Sequence, residues 1–217
     1  MPTDLVIFDN DGVLVDSERL ANGILARLLT EAGLPTTAEE SIVTYLGSTM
    51  DRVRELAEAA LGAALPADLF DRYHDELFER MAAELVPVPG IATVLDALDG
   101  RARCVASSGT PERIRRSLTL TGLIDRFDDG ALFSASEVER GKPAPDLFLH
   151  AASTMDVRPE RCVVVEDSPA GVEAAKAAGM TVIGFAALTP LERLADADEV
   201  VVDAAALHVT LSSSRTR

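Results

Sequence analysis

The first apolar segment of the chain runs directly into a cluster of acidic residues, Leu5-Val6-Ile7-Phe8-Asp9-Asn10-Asp11-Gly12. Its apolar half is continuous rather than alternating, which is typical of a strand buried on both faces of a sheet. Four later segments share this pattern and are predicted as strands: Cys104 to Ala106, Cys162 to Val165, Thr181 to Phe185 and Val200 to Val202. Such strands indicate a parallel sheet that is covered by helices.

Helix signals lie between the later predicted strands. Thr110-Pro111 combines the residue types of an N-cap and a first helical position, and we expect the helix that it begins to stop near Gly122. Ser168-Pro169 begins a second helix that ends before Gly179 in the same way. Strands that alternate with helices predict an α/β fold, with a doubly wound parallel sheet as a Rossmann-like core.

The segment from residue 17 to residue 86 breaks this alternation. Apolar residues recur there at helical spacing in three stripes: Leu20, Ile24 and Leu28; Val53, Leu56, Ala57, Ala60 and Leu61; Phe70, Tyr73, Leu77, Met81 and Leu85. They predict an all-helical unit inserted between the first and second strands, with a stiff Pro-rich linker behind it. We therefore predict an α/β core of residues 1–16 and 87–217 and a helical domain of residues 17–86.

Composition and charge narrow the classes of function. A hydrophobic fraction of 47% is enough for a packed core, and the excess of 36 Asp and Glu over 20 Lys and Arg has the wrong sign for a nucleic-acid partner. No apolar run approaches the ~20 residues of a membrane helix, and the N-terminus has no signal-peptide pattern, so we expect a cytoplasmic protein without a membrane partner. Cys104 and Cys162 lack disulfide or zinc-site spacing and are predicted as buried free thiols.

Residues that follow the predicted strands are candidate site residues, because ligands of open α/β sheets bind beyond the carboxyl ends of the strands. They are Asp9 and Asp11 after the first strand, Ser107 and Ser108 after the second, and Glu166 and Asp167 after the third. Carboxylates that meet at one edge repel one another, and a hard cation with oxygen ligands relieves that repulsion. The sequence therefore predicts a Mg²⁺ site at this edge.

Each signal taken alone also has a purely structural interpretation. Asn10-Asp11-Gly12 between two apolar segments fits a β-hairpin turn, whereas alternate residues of an extended chain would bring Asp9 and Asp11 to one side. Ser107 fits a turn or cap hydroxyl, and Lys142 fits a solvated surface charge. What favours a functional interpretation is the combination of these residues at neighbouring strand ends.

Four motifs in order along the chain resemble those of the haloacid dehalogenase superfamily. Residues 8–18 resemble the first motif and Ser107 the second; Lys142 in Gly141-Lys142-Pro143-Ala144-Pro145-Asp146 resembles the third, and Glu166-Asp167-Ser168 with Gly171 the fourth. The helical insertion lies where the β-phosphoglucomutase-like and phosphoglycolate-phosphatase-like subgroup carries its cap. The resemblance therefore implies that residues 17–86 are a helical cap on a catalytic core.

The resemblance implies a phosphatase that hydrolyses a small phosphorylated metabolite, such as a sugar phosphate, through an aspartyl phosphate. Asp9 would be the nucleophile toward phosphorus, and Asp11 would protonate the leaving oxygen and then deprotonate the attacking water. Ser107, Ser108 and Lys142 would bind the phosphoryl oxygens, where charge gathers in the transition state.

The resemblance also implies that Mg²⁺ is the cofactor. Its ligands would be the carboxylate of Asp9, the backbone carbonyl of Asp11 and the carboxylate of Asp167. Glu166 would either coordinate the ion directly or orient the groups and waters around it.

Three rival activities share parts of this site. Dehalogenation is disfavoured because a halide leaves without a proton and so does not need Asp11. A receiver-type phosphoryl-accepting module groups similar residues but is a single small domain without a helical insertion. A β-phosphoglucomutase-type phosphosugar mutase shares nearly every residue and remains the main alternative.

The helical segment is where the mutase and the phosphatase would differ. In the mutase subgroup, a histidine and an arginine of the cap help to bind a second phosphate, and the corresponding positions here are Ala21 and Met50. Neither side chain can bond an anion, which favours the phosphatase, although Arg52 and Arg54 lie close enough in sequence to substitute. The loop of residues 46–50 is predicted to contribute to substrate specificity.

Overall fold

A computed structural model describes residues 3–46, 48, 50–98 and 100–213 of the chain. By their contacts, the residues divide into two compact units. The core unit comprises Met1–Val15 and Val86–Arg217, and the helical unit comprises Asp16–Leu85. In the described part of the chain, no helix combines the length and the hydropathy that are needed to cross a bilayer.

The helical unit is built from α1 (Ser17–Glu31), α2 (Ala38–Tyr45), α3 (Met50–Leu61) and α4 (Leu69–Glu84). The three predicted apolar stripes fall on α1, α3 and α4, except for Leu85, which follows α4. Most of their residues belong to one buried cluster or pack against it. The helix α2 was not predicted from its apolar pattern. Its signal is a capping box, in which the Thr37 hydroxyl accepts from the Glu40 amide and the Glu40 carboxylate accepts from the Thr37 amide.

The core unit is organised around a parallel sheet. Its strands are β1 (Leu5–Phe8), β2 (Ala102–Ser107), β3 (Leu132–Ser134), β4 (Cys162–Glu166), β5 (Thr181–Phe185) and β6 (Glu199–Val201). They pair in the order β3-β2-β1-β4-β5-β6, with every neighbouring pair parallel. The predicted doubly wound sheet is confirmed, and the order reverses between β1 and β4, where ligands bind in folds of this kind.

The burial of the strands follows the continuous apolar pattern of the sequence. Every residue of β1 and β4 is buried, and each of the five predicted strands lies within two residues of its expected bounds. The strand β3 was missed because it contains only two apolar residues, Leu132 and Phe133, and no β-branched residue, whereas the equally short β6 lies in a run of three valines. Cys104 and Cys162 are buried free thiols, as predicted, and burial raises the pKa of both.

Helices of the core unit are α5 (Ile91–Ala97), α6 (Pro111–Leu120), α7 (Asp146–Thr154), α8 (Pro169–Ala177) and α9 (Ala204–Ser213). Both predicted N-caps are confirmed: the Thr110 hydroxyl accepts from an amide in the first turn of α6, and the Ser168 hydroxyl does the same for α8. These caps fix the start of two helices directly behind the ends of β2 and β4. The sheet edge with the candidate residues is therefore well anchored.

Candidate active site

The loop after β1 carries the first pair of predicted site residues. Asp9 continues the sheet ladder, because its amide donates to the carbonyl oxygen of Val165 at 3.0 Å. The chain then turns tightly, and the amides of Leu14 and Val15 both donate to the Asn10 carbonyl oxygen, at 2.9 and 3.0 Å. The hairpin interpretation of this segment is wrong, because β2 and β4 already pair with the two edges of β1.

Lys142 connects the ends of three strands. Its Nζ lies 2.6 Å from Asp9 Oδ1 and 2.6 Å from Glu166 Oε1, and it also donates to the Ala106 carbonyl oxygen at 3.2 Å. Its side chain is only 6% exposed. The interpretation of Lys142 as a surface charge is therefore wrong. It is a buried cation at the point where the strand order reverses.

Burial sets the electrostatics of this group. Desolvation raises the pKa of the Asp9 carboxyl to about 7, against the opposing attraction of the Lys142 ammonium. Desolvation alone would lower the pKa of Lys142, but the negative charges of Asp9 and Glu166 outweigh it and raise that pKa above its usual range. Lys142 thus stays charged, and the Asp9 carboxylate lies in a poorly solvated place beside it.

Glu166 is held on both of its carboxylate oxygens. Oε1 accepts from Lys142, and Oε2 accepts from the amide and the hydroxyl of Ser168 at 2.8 and 2.9 Å. Gly171 makes room for this carboxylate, since a Cβ at that position would lie 1.8 Å from Oε1. In this arrangement both oxygens of Glu166 are engaged, one by Lys142 and the other by the first turn of α8.

Asp167 lies against the loop that follows β1. A Cβ added to Gly12 would lie 1.9 Å from Asp167 Oδ2, and Gly12 has a φ of +83°, which side chains other than glycine rarely adopt. The Asp167 carbonyl oxygen accepts from the hydroxyl of Thr189 at 2.7 Å. The carboxylate of Asp167 is therefore brought next to the segment that carries Asp9 and Asp11.

The predicted magnesium ligands consist of oxygen donors alone, which is the chemistry that a hard divalent cation prefers. Among residues 3–46, 48, 50–98 and 100–213, no three His, Cys, Asp or Glu side chains form a group that could hold a metal ion. The predicted set needs only two carboxylates, those of Asp9 and Asp167, with the backbone oxygen of Asp11 as the third donor. A buried Asp9 carboxylate with a raised pKa is a group that a cation would stabilise in its charged form, so the residues fit the ion.

The end of β2 brings the predicted hydroxyl residues to the same edge. Ser107 is buried and follows Ala106, whose carbonyl oxygen accepts from Lys142. The Ser107 hydroxyl accepts from the Gly109 amide at 3.1 Å. Ser108 is exposed. A residue that sequence reasoning missed, Ser134 at the end of β3, donates to the Gly109 carbonyl oxygen at 2.7 Å and holds this loop in place.

Sequence reasoning also missed the residue that contacts Asp11. Arg113 on α6 donates from its guanidinium to Asp11 Oδ1 at 2.9 Å. The sequence did contain a signal, because a cap at Thr110 places the residue three positions later on the first turn of α6, behind the end of β2. The site is thus contacted by a helix as well as by strand ends.

The predicted specificity loop is only partly described, since Gly47 and Thr49 lie outside the described residues. The two arginines that could bind a second phosphate have partners within the helical unit. Arg52 donates to Glu55 at 2.9 Å, and the Arg54 guanidinium stacks 4.7 Å from the centre of the Phe70 ring.

The sequence of this chain is similar to those of several known proteins. A family model described as a haloacid dehalogenase-like hydrolase matches residues 3–179. The 6-phosphogluconate phosphatase of Escherichia coli K12 is 31% identical over 185 residues, which are 85% of this chain and 83% of that protein. The β-phosphoglucomutase of Bacillus subtilis is 29% identical over 200 residues, 86% of this chain and 84% of the mutase.

A solved structure is also similar. The crystal structure of a hydrolase of the same family from Deinococcus radiodurans, with bound phosphate and sodium, superposes with a TM-score of 0.85 at 32% identity. The match covers 98% of this chain and 96% of that one.

Proposed function

The chain belongs to the haloacid dehalogenase-like hydrolases and is a phosphatase of that family, and from this premise we propose that it is a Mg²⁺-dependent enzyme that hydrolyses a small phosphomonoester through an aspartyl phosphate on Asp9. The observation that carries the proposal is the buried triad of Asp9, Lys142 and Glu166, which lies where the strand order of the sheet reverses. It combines a nucleophile with a fixed positive charge for the phosphoryl oxygens.

In the first half of the reaction, a carboxylate oxygen of Asp9 forms a bond to phosphorus while the bond from phosphorus to the leaving oxygen breaks. Asp11 gives its proton to that oxygen, so that an alcohol departs. In the second half, Asp11 takes a proton from a water molecule that attacks the same phosphorus. Inorganic phosphate leaves, and the carboxylate of Asp9 is restored.

The remaining residues orient the reacting groups and neutralise their negative charge. Lys142 restrains one oxygen of Asp9 and supplies positive charge for the phosphoryl oxygens, and the hydroxyls of Ser107 and Ser108 offer hydrogen-bond donors to those oxygens. Glu166 keeps the Lys142 ammonium in place through its 2.6 Å contact. When bound at Asp9, Asp167 and the Asp11 carbonyl, Mg²⁺ would supply positive charge against the phosphoryl oxygens and the clustered carboxylates.

The likeness to a 6-phosphogluconate phosphatase supports phosphorylated sugars and sugar acids as the substrate class. The likeness to a β-phosphoglucomutase supports a phosphosugar mutase as the second candidate. A mutase must also bind the distal phosphate of a bisphosphate intermediate, and the uncharged side chains of Ala21 and Met50 at the corresponding positions favour the phosphatase.

The test is a turnover screen with Mg²⁺ over phosphorylated sugars, phosphorylated sugar acids, phosphoglycolate and nucleotides, in which free phosphate is measured. We expect steady phosphate release from at least one sugar-derived monoester and none from an Asp9→Asn variant. The mutase is tested with glucose 1-phosphate and a trace of glucose 1,6-bisphosphate. Fast formation of glucose 6-phosphate with negligible phosphate release would overturn the phosphatase in favour of the mutase.

A further inference from the structure

The helix α6 presents two polar side chains, one turn apart, to the loop after β1. Arg113 donates to Asp11 Oδ1 at 2.9 Å, and the buried hydroxyl of Ser117 donates to Asn10 Oδ1 at 3.2 Å. The amide group of Asn10 in turn donates to Asp11 Oδ2 at 3.3 Å. Both oxygens of the Asp11 carboxylate are therefore held from one helix, one directly and the other through Asn10.

The helix is a firm support for these contacts. Its first turn is capped by the Thr110 hydroxyl, which accepts from the Arg113 amide, and Ile114 and Leu118 anchor the adjacent face with 1% and 0% exposure. The Ser117 hydroxyl also faces the Ile114 carbonyl oxygen at 2.9 Å, so its proton is shared between two acceptors. Asn10 and Ser117 are both buried, and water cannot readily replace their bond.

Asp11 itself is not fixed by burial. Its side chain is 18% exposed and that of Arg113 is 44% exposed. An ion pair so open to solvent adds little to the stability of a protein, because water screens it and both side chains lose freedom. The pair does restrict the direction in which the carboxylate points, and a proton donor that is misplaced by an ångström loses much of its effect.

We propose that Arg113 is a positioning residue for Asp11, assisted by Ser117 through Asn10, and that it sets the rate at which the leaving oxygen is protonated. This inference rests on the proposed phosphatase function. The step concerned transfers one proton from the Asp11 carboxyl to the leaving oxygen as the bond from phosphorus to that oxygen breaks and the bond to Asp9 forms. Arg113 exchanges no proton and forms no bond to the substrate in this account.

The test compares two kinds of leaving group. An alkoxide from a sugar phosphate needs a proton to depart, whereas the phenolate of p-nitrophenyl phosphate departs without one. We expect Arg113→Met to lower kcat for the sugar phosphate identified in the screen by roughly tenfold or more, with KM little changed. For p-nitrophenyl phosphate, the rate of the first half-reaction, measured as the initial burst of p-nitrophenolate, should change by less than about twofold, because that step needs no proton from Asp11. Arg113→Lys should recover part of the loss.

Three controls isolate the role of Arg113. Arg115 is an exposed arginine on the same helix, and Arg115→Met should leave both substrates unaffected. In an Asp11→Asn background, Arg113→Met should have no further effect on the sugar phosphate, because the residue acts through a group that is no longer an acid. The thermal midpoint of Arg113→Met should stay close to that of the wild type.

Different results overturn different claims. If wild-type protein releases no phosphate from any monoester, both the proposed function and this inference are wrong. If the wild type is active but Arg113→Met lowers the rate of the first half-reaction equally for both leaving groups, or adds its full effect to Asp11→Asn, the inference alone is wrong. A loss confined to KM would identify Arg113 as a substrate-binding residue and would also overturn the positioning role.

Discussion

Lys142 Nζ lies 2.6 Å from Asp9 Oδ1, with side chains that are only 6% and 10% exposed. A lysine and an aspartate so far from water stabilise each other's charged forms, and each would be costly to leave unpaired. The same ammonium also contacts Glu166, so one cation faces two carboxylates. The two carboxylates leave an excess of negative charge at this point. A divalent cation must offset that charge when a negatively charged phosphoryl group binds.

Removal of the central cation should therefore reduce both stability and activity. Lys142→Met leaves two buried carboxylates without their partner, and we expect the free energy of unfolding to fall by about 3–5 kcal/mol. Urea titration measures this change. The matched control is Lys176→Met, which removes a partly exposed lysine whose Asp198 partner is also partly exposed, and which should cause a much smaller change. Equal losses in the two variants would show that Lys142 is not an essential buried counter-charge.

Addition of a Cβ at Gly12 should disturb Asp167 specifically. In Gly12→Ala, the new methyl group would meet Asp167 Oδ2 at 1.9 Å, so the carboxylate must move and phosphatase activity should fall steeply. Gly130 has a similar φ of +85° but nothing within 4 Å of the added atom. Gly130→Ala thus carries the backbone strain, of about 1–3 kcal/mol, without the clash. An active Gly12→Ala with the stability of Gly130→Ala would contradict the placement of Asp167.

Metal dependence follows from the oxygen donors at the sheet edge. We expect a chelator to abolish turnover, Mg²⁺ to restore it and Ca²⁺ to inhibit it, because the larger ion prefers a looser coordination. Asp167→Asn should raise the Mg²⁺ concentration at half-maximal activity, whereas Asp203→Asn, immediately before α9, should leave it unchanged. Full activity in excess chelator would rule out the magnesium site.

Loss of the proton donor should separate substrates by their leaving groups. Asp11→Asn cannot protonate an alkoxide, and we expect kcat for a sugar phosphate to fall by roughly 10²–10⁴-fold. The first half-reaction with p-nitrophenyl phosphate should be far less affected. Rapid-quench kinetics measures that step directly, and an equal loss for both substrates would contradict the role of Asp11 as a general acid.

Most of the core unit could be predicted from the sequence, because long buried strands and capped helices leave strong local signals. Continuous apolar runs identified β1 and β4, and Thr110 identified the start of α6. The two apolar residues of β3 were too few to indicate a strand, and α2 was visible only through its capping box at Thr37. Whether a short segment forms a strand or a helix depends on its contacts with neighbouring elements, and the local sequence does not show those contacts.

The site was predictable to the extent that it follows strand ends. Asp9, Asp11 and Asp167 come directly after β1 and β4, and the topology alone brings them to one edge. The partners of these residues were harder to foresee. Arg113 reaches Asp11 from a position 102 residues away, and the engagement of both Glu166 oxygens depends on Ser168 and Lys142 together. Such contacts depend on side-chain directions that a sequence pattern does not contain.

Trapping the phosphorylated enzyme tests directly whether Asp9 is the nucleophile. Wild-type protein is mixed with substrate and Mg²⁺, quenched in acid within the first turnover, digested and analysed by mass spectrometry. We predict that the peptide containing Asp9 gains the mass of one phosphoryl group, that the group is lost on treatment with hydroxylamine, and that Asp9→Asn gains nothing. Phosphate release at the full rate by Asp9→Asn, or a phosphoryl group on any other residue, would contradict the account.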